Sequence, residues 1–280
     1  MVSLTEKLQK TKRLERNRPE QSDQSLNAIS VKHAFVRPVP DTYDHCVRTN
    51  AEKIDVTLAK KQHAEYCKAL QKLGLKLQWI NSDNSLPDSC FVEDTAVVIG
   101  EKAIICNMKL ESRAKEIVEV AKMMERLKET HFIKSPATID GGDALIIEDR
   151  VFVGLTQRTN LHAIQQLRKV LENTNVEIVP LKVEGVLHLK SACTYVGNNC
   201  VVLSEGHFDT QVLQDCRKIV VPKGEEYAAD CLAIGETVLM AKGFPLTKRL
   251  LEKQSFLVEE LEMSEFRKGE GALTCLSIIC

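Results

Sequence analysis

The chain has 280 residues, with 38 Lys+Arg against 39 Asp+Glu and a formal net charge of −1. So balanced a charge excludes a nucleic-acid-coating surface, which needs a basic excess; 44% hydrophobic and 28% charged residues is the make-up of a soluble globular protein. No apolar run approaches the ~18 residues that span a bilayer, and none near Met1 resembles a signal peptide, so a cytoplasmic chain without membrane partner is expected.

Residues 1–31 are charged, polar and nearly free of large apolar side chains, and read as a short surface helix running into a flexible leader. A transit peptide competes as a reading of the basic start, but Glu6, Glu15 and Glu20 speak against it. From residue 32 a rhythm sets in. Amphipathic spacing predicts helices over 52–73, 113–128, 159–172, 208–217 and 245–254. Between them lie short runs with strand character: HAFVRPV, LKLQWI, TAVVIG, KAIICN, ALIIED, RVFVGL, VEIVPL, KSACTYV, CVVLSE, CLAIGE, TVLMAK, FLVEEL and LTCLSII. A strand–strand–helix–strand unit thus recurs about five times, every 45–55 residues or so, a period of propellers and arrays and not of a doubly wound sheet. The fold predicted is α/β: one propeller domain over 32–280, its five modules set around an axis with helices outside and strand ends meeting near a central cavity.

Ten cysteines are scattered without a C-x-x-C pair, which excludes a zinc ribbon; a disulfide scaffold would be shorter and denser in cysteine. Cys275 follows the glycine-rich loop Lys268–Gly269–Glu270–Gly271 and begins or lies within the last strand. It reads either as a buried strand cysteine or as a nucleophile shown at a strand end. His188 in GVLHLKSAC is the best partner for such a thiol; His45, His63 and His162 stand in helical or loop surface contexts, and an ordinary strand histidine is the rival reading of His188. Asp88, Glu93 and Asp94 crowd the entrance of an apolar strand, where alternation sends Glu93 and Asp94 to opposite faces. A carboxylate turned inward needs a cationic partner, so the cluster points to a bound cation. Asp140 and Asp143 bracket a Gly-Gly pair suited to a positive-φ turn or to close approach of a ligand, or simply to a hairpin turn. Metal binding competes for both acid clusters, but the histidines supply no ligand spacing.

The strings SLPDSCFVEDTAVV, ATIDGGDALI, VFVGLTQRTN, LHLKSACT and GALTC together resemble the dimethylarginine dimethylaminohydrolase (dimethylargininase) family of the guanidine-modifying pentein superfamily, from about His33 to the last strand. The resemblance implies a five-bladed pentein α/β-propeller. It implies Cys275 as nucleophile, His188 as catalytic histidine, and Asp140 as the acid that orients His188 and holds the guanidinium. It further implies that Glu93 and Asp94 clamp the guanidinium nitrogens, that Asp88 meets the substrate α-amine, and that Arg113 and Arg158 grip the α-carboxylate. Paired carboxylates suit a planar cation, and guanidinium forks suit a carboxylate. Where the family carries a lid, often with a leucine, this chain reads PDTYDHCVRTN with no clear equivalent, and RKGEGA before the nucleophile differs slightly in length.

The expected reaction is hydrolysis of Nω-methylated arginine to citrulline and methylamine or dimethylamine through a covalent Cys thiouronium. No metal and no organic cofactor are expected, and the partner is the small-molecule substrate, with the chain a monomer or homodimer. An arginine deiminase or arginine dihydrolase of the same superfamily is the alternative, since both share the Cys/His/acid core. A non-catalytic binding propeller, of the kind that binds ribosomal subunits, is the alternative of another class; the intact Cys275, His188 and Asp140 argue against it.

Overall fold

The structure, a computed structural model, describes residues 32–280. The polar leader expected over 1–31 lies outside the described residues. Five three-stranded sheets follow one another along the chain. In four of them an antiparallel hairpin is followed by a parallel outer strand: β3–β4–β5 (Ala96–Ile99, Lys102–Ile105, Glu129–Phe132), β6–β7–β8 (Ala144–Ile147, Arg150–Leu155, Glu177–Lys182), β9–β10–β11 (Cys193–Gly197, Cys200–Leu203, Arg217–Val220) and β12–β13–β14 (Leu232–Ile234, Thr237–Ala241, Leu257–Leu261). The other sheet is built from both ends of the described chain. Its β1 (His33–Val36) pairs in parallel with β2 (Lys76–Trp79), and its antiparallel partner is β15 (Ile278–Ile279), with Ala34 opposite Ile279. The last strand therefore closes the ring and brings Cys275 beside the first module.

The parallel steps need crossovers of a dozen or more residues, and helices fill four of the five: α1 (Val56–Lys72), α2 (Ile117–Met124), α3 (Leu161–Val170) and α5 (Pro245–Lys253); α4 (Leu189–Ala192) and α6 (Ser264–Lys268) are short helices outside these crossovers. Their starts carry chemical signals. Asp55 caps α1 by accepting from Leu58 N, and Asn160 caps α3 by accepting from Ala163 N. Helix α5 opens on Pro245 and is capped by a residue from outside it, the buried Glu225, which accepts from Leu246 N and Thr247 N. The helix predicted over 208–217 is instead a 3₁₀ turn, Thr210–Leu213. Only residues 204–216 separate β10 from β11, and once the chain has left one strand and turned toward the next, a single tight turn fits.

Apolar clusters fill the seams between neighbouring modules. In one, Ala163, Ile164 and Leu167 of α3 pack with Val151, Val153 and Ile178; truncating the wholly buried Leu167 to Ala would cost roughly 2–5 kcal/mol. The innermost strands β3, β6, β9, β12 and β15 surround a central cavity of about 250 Å³, reached from every module. Buried charge gathers at one end of this axis, and the chemistry lies there.

Candidate active site

Before β3 the chain makes a 3₁₀ turn, Val92–Thr95, so strand alternation does not govern Glu93 and Asp94. Both are buried and they still part company. Asp94 Oδ1 accepts Gly142 N at 3.1 Å and its Oδ2 pairs with Arg113 Nη1 at 2.8 Å, whereas Glu93 Oε1 meets Lys190 Nζ at 2.6 Å and its Oε2 accepts from Thr274 Oγ1 at 2.9 Å. Glu93 lines the central cavity; Asp94 lines a second, smaller one.

The Gly141–Gly142 pair is explained by close packing and not by positive φ. A Cβ on Gly141 would lie 2.0 Å from the Glu93 carbonyl oxygen, and one on Gly142 2.9 Å from Asp94 Oδ1 and 3.0 Å from the His188 ring. Asp143, the second acid of that motif, is a brace. Its Oδ2 accepts from the Thr156 and Thr159 hydroxyls, and its Oδ1 accepts Leu189 N at 3.0 Å, fixing the first turn of α4 behind His188.

His188 stands in extended backbone just ahead of α4. Its Nε2 lies 3.0 Å from Asp140 Oδ2 and 3.9 Å from Asp94 Oδ1. Burial alone would depress the imidazole, but Asp94, Asp140 and Asp143 overcome it and raise the pKa to about 9. Desolvation likewise opposes ionisation of Asp94, yet His188 and Arg113 bring it down to about 2. Asp94, Asp140 and His188 are also the one group among the described residues whose atoms, all within 4.8 Å, could surround a metal. With Nε2 committed to Asp140, the set is a charged imidazole held by two carboxylates.

Cys275 sits on a 3₁₀ turn, Thr274–Leu276, directly before β15, and not within a strand. Its Sγ accepts Ala272 N at 3.5 Å. Burial, then Asp230, Glu93 and Asp94, push its thiol well above the usual range. Cys275, His188, Asp88, Asp94, Arg113 and Arg158 line one cavity of about 20 Å³. Asp140 lies buried behind it and pairs with Arg158 Nη1 at 3.2 Å as well as with His188. Arg113 has little to spare: Nε and Nη2 face Glu116, Nη1 faces Asp94, and Nη2 also reaches the Phe91 carbonyl. Asp88 is raised by burial, and its Oδ1 accepts Val47 N at 3.0 Å, tying the 40–50 segment over the cavity.

Residues 37–227 match the family model "N,N dimethylarginine dimethylhydrolase, eukaryotic". The chain belongs to the dimethylarginine dimethylaminohydrolase family. The N(G),N(G)-dimethylarginine dimethylaminohydrolase of Streptomyces coelicolor is 35% identical over 88% of this chain and 96% of its own length, and that of Pseudomonas aeruginosa 30% identical over 88% and 98%. A solved structure of the Pseudomonas aeruginosa enzyme, a cysteine-to-serine variant complexed with citrulline, superposes with a TM-score of 0.86 at 28% identity, covering 89% of this chain and 99% of that one. The five-module α/β-propeller expected from the sequence is the fold of this family.

Several residues around the site carry no role in the sequence reading. Lys190 and Thr274 stand inside quoted motifs, within two positions of His188 and Cys275, and that proximity is a usable signal. Asp230 stands outside the quoted motifs, and only three dimensions bring it to the site; Glu116 lies three residues after Arg113 in the segment predicted helical over 113–128, a spacing that already sets the two side by side. Glu270 had a signal in its flanking glycines.

Proposed function

We propose that the chain hydrolyses Nω-methylated arginine to citrulline and methylamine or dimethylamine, with residues 32–280 as one catalytic domain, in the cytoplasm, as a monomer or homodimer. The observation that carries this reading is the shared cavity, where a thiol and a charged imidazole meet carboxylates suited to a guanidinium and an arginine suited to a carboxylate. Asp94 and Asp140 hold the guanidinium; Asp140 Oδ1, buried and without a partner among the described residues, is an acceptor that a substrate N–H would satisfy. Glu93 is the further carboxylate of the clamp, standing between Lys190 and Thr274. Arg158, whose fork is bound only by Asp140 among the described residues, takes the α-carboxylate and Asp88 takes the α-amine, while Arg113, spent on Glu116 and Asp94, holds Asp94 in place.

The resting site holds a neutral thiol and an imidazolium. A bound cation lowers the thiol pKa, the thiol proton leaves to solvent, and the Cys275 thiolate attacks the guanidinium carbon. The imidazolium of His188 gives its proton to the departing amine as the C–N bond breaks, leaving a thiouronium on Cys275. Neutral His188 then takes one proton from the water that attacks this carbon, and as the C–S bond breaks the remaining hydroxyl proton passes to the sulfur, releasing citrulline and restoring the neutral thiol and the imidazolium. The substrate is already an electrophilic cation, so its activation requires neither metal nor organic cofactor.

Incubation with dimethylarginine or plain arginine, with citrulline, dimethylamine and ammonia quantified and quenched protein weighed by mass spectrometry, tests the reading. Dimethylamine, a thiouronium on Cys275 and loss of both in Cys275→Ser are expected. Higher kcat/KM on plain arginine would give the site to a deiminase or dihydrolase.

A further inference from the structure

Beneath Cys275 lies an acid that the reaction above does not use. Asp230 follows a 3₁₀ turn, Glu226–Ala229, and is 3% exposed. Its Oδ1 accepts Thr274 N at 3.0 Å, and its Oδ2 lies 3.1 Å from Thr274 Oγ1. The same hydroxyl lies 2.9 Å from Glu93 Oε2. A hydroxyl owns one proton, so two carboxylates cannot both accept it in well-aligned bonds. One of the contacts needs a proton from the acid. Lys190, 2.6 Å from the other oxygen of Glu93, supplies that carboxylate with a counter-charge. Asp230 has no cation within ion-pairing distance among the described residues, and a carboxyl buried in that state takes up a proton.

We propose that Asp230 is a carboxylic acid in the resting protein and a positioning residue for the nucleophile turn. Its O–H donates to Thr274 Oγ1, the Thr274 O–H donates to Glu93 Oε2, and this chain fixes the residue before Cys275 at both its N–H and its side chain. Loss of the Asp230 proton sets a second anion beside Glu93 and next to the thiol. Burial and then Glu93 raise Asp230 to about 7, and after burial Asp230 is the strongest influence holding the Cys275 thiol up. The titratable groups facing it are Glu93, Lys190, Cys275, Cys231, Tyr227 and Tyr66. Lys190 is the only cation among them.

Asp230→Asn is the decisive variant, because its amide N–H reproduces the acid's O–H while its carbonyl still accepts Thr274 N. Three readouts apply: the infrared carbonyl band of a protonated carboxyl near pH 6, the melting temperature at that pH, and the rate at which iodoacetamide alkylates Cys275, followed by peptide mass spectrometry from pH 6 to 9. The variant is expected to lose the band, to keep its melting temperature, and to match wild type in alkylation at pH 6. At pH 9 it should exceed wild type on the order of tenfold, equivalent to about one pKa unit, because wild type then carries the extra anion. A band that survives, an unchanged alkylation profile, or a variant that fails to fold would each overturn the proposal, the last because an ionised Asp230 offers only acceptors where Asn places a donor. An effect on turnover rests on Cys275 being the nucleophile; these readouts do not use substrate and separate the two ideas.

Discussion

One oxygen of Asp140 serves two cations: Oδ2 lies 3.0 Å from His188 Nε2 and 3.2 Å from Arg158 Nη1. The group that orients the proton donor therefore also orients the arginine assigned to the substrate carboxylate. Asp140→Asn replaces an acceptor with an amide that must present a donor to one of these cations or turn away. A fall in kcat of about 10²–10⁴, the usual size of a lost general acid–base contribution, is expected, together with a raised KM. Steady-state kinetics on dimethylarginine checks it. Loss of kcat with KM untouched would uncouple Arg158 from Asp140.

Stability should fall as pH rises. His188 is held at about 9 against an ordinary 6.5, so the folded protein binds that proton more tightly than the unfolded chain. Its contribution is complete below about 6.5 and lost as pH climbs through about 9; the difference corresponds to about 3 kcal/mol. Asp230, raised from 3.8 to about 7, acts in the same direction at lower pH, because a buried acid that prefers its proton loses stability as that proton leaves. Asp94, held near 2, adds stability that disappears only as pH drops from about 4 toward 2. Thermal melts from pH 5 to 9 should decline in wild type, and His188→Gln should flatten the section above about 6.5. A wild-type profile level across that range would contradict the charged imidazole.

The two arginines, equal partners in the sequence motifs, are unequal in three dimensions. Arg158 has most of its fork open among the described residues; Arg113 is spent on Glu116 and Asp94. Arg158→Lys is expected to raise KM for methylarginine by about 10–100-fold, the value of one to two charge-assisted hydrogen bonds, with little change for a methylguanidine lacking the α-carboxylate. Arg113→Lys breaks a buried bidentate pair, so a destabilisation of about 3–5 kcal/mol is expected, with similar losses on both substrates. Melting curves beside the two-substrate kinetics separate the cases.

Elements whose apolar residues touch the core were legible in the sequence; of the outer strands, β2, β8 and β14 were read from LKLQWI, VEIVPL and FLVEEL, and two were missed. Helix α3 shows its buried stripe in the spacing of Ala163, Ile164 and Leu167. By contrast β5, Glu-Thr-His-Phe, and β11, Arg-Lys-Ile-Val, are outer strands with charged starts and few buried side chains: none in β5 and Ile219 alone in β11. The same holds within the site. Residues in dense motifs, such as Asp94 and His188, were found from the sequence. The Thr274–Asp230 contact joins positions 44 apart, and no local pattern encodes a pairing that depends on ring closure by β15.

Glu270 ties together the two loops that line the mouth of the site. This residue adopts φ 60° between Gly269 and Gly271, and a Cβ on Gly269 would lie 2.2 Å from the Tyr43 hydroxyl and one on Gly271 2.2 Å from the Phe91 ring. The loop is thus pressed flat against both rings, with the Glu270 side chain turned to the facing segment. Glu270 Oε1 accepts from Thr49 N at 2.8 Å, from the Thr49 hydroxyl and from Asn50 N, while Asn50 Nδ2 donates to the Lys268 carbonyl. These contacts join the 47–50 segment, where Val47 lines the cavity, to the loop that presents Cys275. A cavity of about 20 Å³ has room for about one water, so an arginine enters only as the lining of the cavity gives way. Glu270→Ala should shift that balance toward the open form by about 1–2 kcal/mol, the net value of hydrogen bonds to a partly exposed carboxylate. The expected result is KM higher by about 5–30-fold and faster release of citrulline in stopped-flow, with Cys275 alkylation accelerated in the absence of substrate. Glu270→Gln, which keeps an acceptor and loses the charge, should fall between the two. Equal alkylation rates in wild type and Glu270→Ala would show that the mouth opens elsewhere, without breaking the Thr49–Glu270 contact.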